Sequence, residues 1–204
     1  MRTVRGSGEY EVEIRRSRFL GAVAFVSSVE EARAFVDGRR AAHPTARHHC
    51  FAYVTGGAER VEKASDDGEP SGTGGAPILE VLKKRELMDV VAVVSRYFGG
   101  VLLGAGGLIR AYGQAAARAV DAAGVVELRP AALVTVTVGY ADAGRLESEL
   151  RETYPIRAVR YGASGGVALD VVVPEPELDR FRSRVADRTG GAADAERVGT
   201  EYLP

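Results

Sequence analysis

Two glycine-rich segments carry the side chains best suited to chemistry. The first, Ala64 to Ala76, contains Asp66, Asp67 and Glu69. Carboxylate oxygens are the ligands that Mg²⁺ prefers, and two carboxylates can also serve as an acid–base pair. Acidic residues in segments rich in Gly, Pro and Ser also cap turns and the helices that follow them. The spacing does not match an EF-hand. A metal site and a structural loop therefore both stay open for this segment.

The second glycine-rich segment, Gly99 to Gly107, has the composition of an anion-binding loop. It follows an apolar run and precedes a helical pattern, so its backbone amides lie where a helix begins. Two arginines, Arg96 and Arg110, bracket it, and guanidinium groups pair well with phosphate. The same glycines could instead serve only a tight turn and close helix packing. The predicted phosphate-binding residues are Arg96, Tyr97, Gly104, Gly106, Gly107 and Arg110.

Common nucleotide and catalytic motifs are not found in the sequence. No lysine follows the glycines at the Walker A spacing, and Ile109 stands where the dinucleotide fingerprint requires Gly or Ala. His49 and Cys50 are adjacent on a predicted strand and therefore point to opposite faces, which does not suit a zinc site. We predict that Cys50 packs as a small apolar residue. The sequence assigns no catalytic residue, no metal ligand and no cofactor.

The composition is that of an ordinary globular protein. The 204 residues are 46% hydrophobic and 27% charged, which excludes a disordered or collagen-like chain. The formal net charge is -1, so nucleic-acid binding would need a local basic patch. The single cysteine and the lack of a membrane-length apolar run predict a cytoplasmic protein, neither secreted nor membrane-spanning.

The first part of the chain is predicted to mix strands and helices. Apolar residues alternate from Tyr10 to Ile14, and a longer apolar run covers Phe19 to Val26. Ser28 opens a helix that Pro44 ends. The other predicted elements are strands at Cys50–Val54 and Val90–Val94, a short helix at Pro77–Lys84 and a helix from about Leu108 to Ala123.

The second part has the element order of a ferredoxin-like fold. Alternation and helical spacing predict strand, helix, strand, strand, helix, strand over residues 131–203. The domain boundary is predicted at Leu128 to Pro130, which gives domains 1–128 and 131–204. The expected fold class is α+β.

Three motifs together resemble the signature of the YigZ/IMPACT family. They are Ser65-Asp66-Asp67-Gly68-Glu69-Pro70-Ser71-Gly72-Thr73, Arg96-Tyr97-Phe98-Gly99-Gly100, and the run from Leu103 to Gly113. The segments Ser17-Arg18-Phe19 and His48 to Tyr53 fit two further blocks of that family. The resemblance is dense over residues 1 to about 127, and the remainder resembles the small C-terminal domain of bacterial members.

The resemblance implies an N-terminal domain of the ribosomal-protein second-domain type, related to the fourth domain of elongation factor G. It implies a ferredoxin-like C-terminal domain similar to the fifth domain of that factor. Asp66, Asp67, Glu69, Ser71 and Thr73 would belong to a motif loop of the family. Members commonly carry lysine where this chain has Ala76 and Leu102, which removes two positive charges from a phosphate-binding surface.

Two functional hypotheses follow. The first is a non-enzymatic, translation-linked regulator that binds RNA or the ribosome through the second glycine-rich segment and its arginines. Unpaired bases could also stack on Tyr97, Phe98 or Tyr112, although Tyr112 lies on the apolar stripe of its helix, which favours core packing. The alternative is a metal-dependent hydrolase of the peptidase or phosphoester class that uses the three carboxylates of the first segment. The oligomeric state is not determined by the sequence.

Overall fold

The chain folds into two units, each with its own antiparallel sheet. The computed structural model describes residues 1–56, 60–162 and 165–203. Contacts divide the chain into Met1–Glu127 and Leu128–Pro204. No helix in the described ranges is both long enough and apolar enough to cross a membrane.

The first unit is a three-layer arrangement around a five-stranded sheet. Its elements in chain order are β1 (Arg2–Val4), β2 (Gly8–Ile14), β3 (Ser17–Phe25), α1 (Val29–Ala42), β4 (His48–Thr55), β5 (Val61–Ser65), α2 (Gly75–Lys84), β6 (Val90–Tyr97), α3 (Ala105–Ala123) and β7 (Val125–Glu127). The sheet order is β2-β3-β6-β4-β5, with every neighbouring pair antiparallel. Strands β1 and β7 pair with each other apart from this sheet.

Helices cover both faces of this sheet. Helix α1 packs on one face against β4 and β6, where Ala32 and Val36 meet Tyr53. Helices α2 and α3 bury a larger core on the other face. Strand β6 lies between these layers, which explains why its run from Val90 to Val94 is apolar at every position rather than at alternate ones.

Local signals set the ends of α1. The Ser28 side chain accepts a hydrogen bond from the Glu31 amide at 3.1 Å, as an N-cap does. The Glu31 carboxylate accepts from the Ser27 amide at 2.7 Å, so the reciprocal bond of the capping box is displaced by one residue. The helix ends at Ala42, before Pro44.

Three short or charged strands were not expected from the sequence. Strands β1 and β7 have three residues each, too few to show a period. Strand β5 lies at a sheet edge, is largely exposed and contains Glu62 and Lys63, so it lacks the apolar alternation of a half-buried strand. Helices α2 and α3 also begin inside the segments predicted to be loops, at Gly75 and Ala105.

The second unit has the predicted ferredoxin-like order. Its elements are β8 (Arg129–Gly139), α4 (Tyr140–Arg151), β9 (Ile156–Tyr161), β10 (Gly166–Pro174), a 3-10 turn (Glu175–Glu177), α5 (Leu178–Thr189) and β11 (Asp194–Leu203). The antiparallel sheet has the order β11-β8-β10-β9, and α4 and α5 pack on one of its faces. The predicted α+β fold class is confirmed.

Candidate functional site

A buried carboxylate joins the first glycine-rich segment to the sheet and to α3. Glu69 Oε1 accepts hydrogen bonds from Arg96 Nη1 at 2.6 Å and from the Tyr112 hydroxyl at 2.7 Å. All three side chains are buried. Burial raises the pKa of Tyr112, so its hydroxyl keeps the proton that it donates to Glu69. We refer to Glu69, Arg96 and Tyr112 as the buried network.

Strand register explains why Arg96 is buried. Strand β6 continues to Tyr97, and Arg96 pairs with Phe19 of β3 on one side and with His48 of β4 on the other. These three side chains therefore form a row across one face of the sheet. The Arg96 guanidinium carbon lies 5.4 Å from the ring centroid of Phe19 and 5.5 Å from that of Phe98. Arg96 is therefore held by an ion pair and two rings, whereas the sequence analysis predicted it as a phosphate-binding residue.

Asp66 acts as a cap within the first segment. Its carboxylate accepts hydrogen bonds from the amides of Gly72, Gly74 and Gly75 at 2.8, 2.9 and 2.8 Å. Burial raises the pKa of this carboxyl, but the three amides outweigh burial and leave the pKa below the ordinary value. The last two amides start α2, so Asp66 ends the loop and begins the helix.

The other motif residues of this segment have separate partners. Asp67 accepts from the His49 amide at 2.7 Å and from Arg40 Nη2 at 3.0 Å. The Thr73 hydroxyl is buried and donates to the Pro70 carbonyl at 2.6 Å, and Ser71 is exposed. Across the described ranges, no three His, Cys, Asp or Glu side chains are grouped to hold a metal ion. The hydrolase alternative therefore has no converged ligand set in that part of the chain.

Cys50 lies under this loop and has no room to react. A Cβ at Gly74 would lie only 2.4 Å from Cys50 Sγ, so the close packing requires glycine. The thiol donates to the Asp66 carbonyl at 2.9 Å. Burial raises the pKa of Cys50 to about 12. At neutral pH the side chain is thus a protonated thiol without access to solvent.

Two turns pack backbone to backbone at the other glycine-rich segment. The Gly99 amide donates to Ser17 Oγ at 3.1 Å, and a Cβ at Gly99 would lie 2.0 Å from the carbonyl of Arg16. Only glycine permits this approach. The β2–β3 turn at Arg15 and Arg16 is thereby fixed beside the loop that leads into α3.

This packing creates a cleft at the start of α3. The cleft has a volume of about 340 Å³ and is lined by Ile14, Arg15, Leu103, Gly107, Arg110 and Gln114; we call it the α3 cleft. Gly104, at φ 72°, is the N-cap of α3. The first hydrogen bond of the helix runs from the Leu108 amide to the Gly104 carbonyl. The amides of residues 105–107 are thus free of helical partners.

The charge of the α3 cleft is not neutralised by its neighbours. Among the described residues, neither Arg15 nor Arg110 forms an ion pair, and both are exposed. Arg15 Nη1 donates only to the Leu102 carbonyl, at 3.4 Å. No carboxylate is among the described residues that line the cleft. Two guanidiniums and a helix N-terminus together form a surface suited to an anion.

The six residues predicted to bind phosphate do not lie at one place in the structure. Gly104, Gly106, Gly107 and Arg110 lie together at the N-cap and in the first two turns of α3. Arg96 belongs to the buried network instead. Tyr97 is half-buried, and its hydroxyl lies 3.1 Å from His43 Nδ1.

Arg15 was missed by the sequence analysis, although a signal was present. Two consecutive arginines lie between two predicted strands, the position of a hairpin turn. Their proximity to α3 depends on the contact between the two turns, which no periodicity reveals.

Comparison with known proteins identifies the family. The Impact N-terminal domain family matches residues 15–120, and a domain of unknown function (DUF1949) matches residues 136–192. The chain is 42% identical to the IMPACT family member YvyE of Bacillus subtilis over 98% of this chain and 92% of that protein. The chain belongs to the IMPACT family.

Other IMPACT relatives show the same extent of similarity. The family member YigZ of Escherichia coli is 36% identical over 88% of this chain and 89% of that protein. A crystal structure described only as that of a hypothetical protein is 34% identical, covers 97% of both chains and has a TM-score of 0.75. The two-domain YigZ/IMPACT resemblance seen in the motifs is therefore confirmed.

Proposed function

We propose that this protein is a non-enzymatic, translation-linked factor that binds RNA, on the ribosome or free, through the α3 cleft. The observation that carries the proposal is a cleft at the start of α3, lined by Gly107 and by two exposed arginines that form no ion pair among the described residues. Backbone amides and guanidinium groups are the common partners of nucleic-acid phosphates. The family resemblance supports the link to translation.

Hydrogen bonds hold the segments that surround the cleft. Glu69 and Arg96 hold the first segment to β6, and Gly99 holds the loop against the β2–β3 turn. The donors therefore stand in position before a phosphate arrives, which lowers the entropic cost of binding. In this proposal Arg96 holds the first glycine-rich segment in place through Glu69. Arg15 supplies the second guanidinium beside Arg110.

The departures from the family pattern agree with this arrangement. Leu102 occupies a position where members commonly carry lysine, and its side chain is 82% exposed. Its carbonyl accepts from Arg15 Nη1, so an arginine lies beside the position that lacks the lysine charge. The positive charge of the surface thus comes from the hairpin turn and α3.

Salt-dependent RNA binding tests the proposal. The affinity of the protein for a single-stranded oligoribonucleotide is measured at several salt concentrations, for the wild type and for Arg15→Ala/Arg110→Ala. Log affinity falls as log salt rises, and each lost phosphate contact should reduce the magnitude of this negative slope by about 0.7. We expect a fall of about 1.4 with a lower affinity at every salt concentration.

A matched control separates the site from net charge. The double variant Arg33→Ala/Arg182→Ala also removes two positive charges, from exposed positions on α1 and α5. It should keep the affinity and the slope of the wild type. Equal affinity and slope for wild type and Arg15→Ala/Arg110→Ala would refute the proposal.

A further inference from the structure

A second cleft lies on the other side of the loop of residues 98–104. It has a volume of about 260 Å³ and is lined by Arg47, His48, Arg96, Phe98 and Leu102; we call it the Phe98 cleft. Leu102 lines this cleft, and the next residue, Leu103, lines the α3 cleft. The loop therefore separates two neighbouring concave surfaces, of which the proposed function uses only one.

The Phe98 cleft combines an aromatic ring with positive charge. Phe98 is 38% exposed, and the guanidinium carbons of Arg47 and Arg96 each lie 5.5 Å from its ring centroid. Leu102 adds an exposed apolar side chain at the same place. Stacking on an aromatic ring next to arginine is the usual way in which proteins hold an unpaired base.

Arg96, which also lines this cleft, has one side-chain donor without a partner among the described residues. Its side chain is more than nine-tenths buried, and Nε, which is shielded from solvent, has no hydrogen-bond partner in the described part of the chain. A buried N–H without a partner is unfavourable by roughly 1–3 kcal/mol. Because Nε is closed to solvent, it is a cost of the buried network and not a contact offered to a ligand.

The His48 ring of this cleft is oriented by the backbone of Asp67. Its Nδ1 lies 2.9 Å from the Asp67 carbonyl, and a carbonyl can only accept, so Nδ1 carries the proton. In the neutral ring Nε2 is then an acceptor, and it lies 4.0 Å from Glu69 Oε1, beyond hydrogen-bond distance. The Nε2 edge of His48 thus faces the buried carboxylate of Glu69, and the exposed charged group of the cleft is Arg47.

We propose that the Phe98 cleft binds one unpaired nucleotide, with its base against Phe98 and its phosphate on Arg47. The volume is below the roughly 300–1,000 Å³ of sites for drug-sized ligands, which suits a single base. The inference rests on the proposed function, because the nucleotide would belong to an RNA strand whose neighbouring phosphates lie in the α3 cleft. It adds a base-stacking position to a surface that otherwise contacts only the backbone.

Binding of a free mononucleotide tests this inference independently of RNA-strand binding. Uridine 5′-monophosphate, uridine and inorganic phosphate are each titrated into the full-length protein and followed by NMR or calorimetry. Phe98→Leu keeps an apolar side chain and removes the ring, and Arg47→Ala changes an exposed residue. We expect Phe98→Leu to weaken binding of the mononucleotide about tenfold, the lower part of the range for base–aromatic stacking.

Arg47→Ala should weaken binding of the mononucleotide more than binding of uridine, because it removes the phosphate contact. Arg33→Ala, which changes an exposed arginine of α1 that lines neither cleft, should bind the mononucleotide as the wild type does. Inorganic phosphate alone should bind much more weakly than the mononucleotide. Unchanged binding in both Phe98→Leu and Arg47→Ala, or no binding by the wild type, would overturn the inference.

The two proposals fail in different ways. If oligoribonucleotide binding depends on Arg15 and Arg110 but the mononucleotide does not bind, the Phe98 inference is wrong and the proposed function stands. If the mononucleotide binds at Phe98 but the affinity for RNA does not depend on Arg15 and Arg110, the assignment of the α3 cleft is wrong. Circular dichroism and thermal unfolding of Phe98→Leu verify that the variant is folded.

Discussion

The buried network and the α3 cleft are built from neighbouring motifs, but their arginines have opposite environments. Arg96 is shielded from solvent and paired with Glu69, whereas Arg110, at the other end of the same glycine-rich stretch, is exposed and has no ion pair among the described residues. A buried ion pair fixes geometry because either charge alone would be costly. An exposed unpaired guanidinium adds little to stability and is available to a ligand. Variants of the buried network should therefore lower the stability of the fold. Variants of the α3 cleft should instead lower the affinity for RNA with little effect on stability.

Glu69→Gln should give the largest loss of stability. The substitution leaves the Arg96 guanidinium buried without its counter-ion, and breaking such a pair lowers the free energy of unfolding by about 3–5 kcal/mol. Urea denaturation at neutral pH measures the loss. Glu13→Gln, at an exposed position of β2, is the control and should change stability by less than about 0.5 kcal/mol. A loss below about 1 kcal/mol for Glu69→Gln would contradict the assignment of a buried network.

Asp66→Ala should have the next largest effect. The variant loses the carboxylate that binds three amides, and hydrogen bonds to a charged group contribute about 1.5–3 kcal/mol. The pKa of Asp66 is lowered in the folded protein, so its contribution is complete above the ordinary value of 3.8 and disappears as pH falls through the folded value. Urea denaturation of both proteins at neutral and acidic pH should show stabilities that converge in acid. A constant difference across that range would refute the role of the charged form.

Gly106→Ala should separate binding from folding at the α3 cleft. A Cβ at Gly106 meets no atom within 4 Å, and alanine favours a helix over glycine by about 0.5–1 kcal/mol. Stability should therefore rise slightly, while affinity for RNA falls because the new methyl group lies beside the free amides. Gly113→Ala, further along α3, is the matched control, since its Cβ would make only an ordinary contact at 3.9 Å. Equal RNA affinities for the two variants would show that no phosphate approaches the first turn.

Cys50 reports on the buried region without a change in stability. Its thiol is buried and its pKa is raised to about 12, so a thiol reagent at pH 8 should react far more slowly with the folded protein than with the protein in urea. Reaction followed by absorbance or mass measures the ratio. Fast reaction of the folded wild type would mean that the first glycine-rich segment opens readily.

The sequence predicts most of the fold because the large elements bury apolar faces with a regular period. Helix α3 and the βαββαβ order of the second unit follow from that period alone. Strand β5 does not, because an exposed edge strand needs no apolar alternation. Helix α2 begins two residues earlier than expected, because the carboxylate of Asp66 compensates for glycine at its start.

The candidate site was predictable only in part. The string from Gly104 to Arg110 places glycines and an arginine at a helix start, and the structure keeps them together. The exposure of an arginine, however, depends on strand register. Arg96 is buried because β6 extends past Val94 and sets it between Phe19 and His48, and Arg15 enters the site through a contact between two turns.

Co-sedimentation with ribosomes tests the central claim most directly. Wild type, Arg15→Ala/Arg110→Ala and the charge-matched Arg33→Ala/Arg182→Ala are centrifuged with purified ribosomes at low and high salt. The account predicts that wild type and the charge-matched control sediment with ribosomes at low salt and are released at high salt, while Arg15→Ala/Arg110→Ala stays in the supernatant. Failure of the wild type to sediment at any salt concentration, or equal sedimentation of all three proteins, would contradict it.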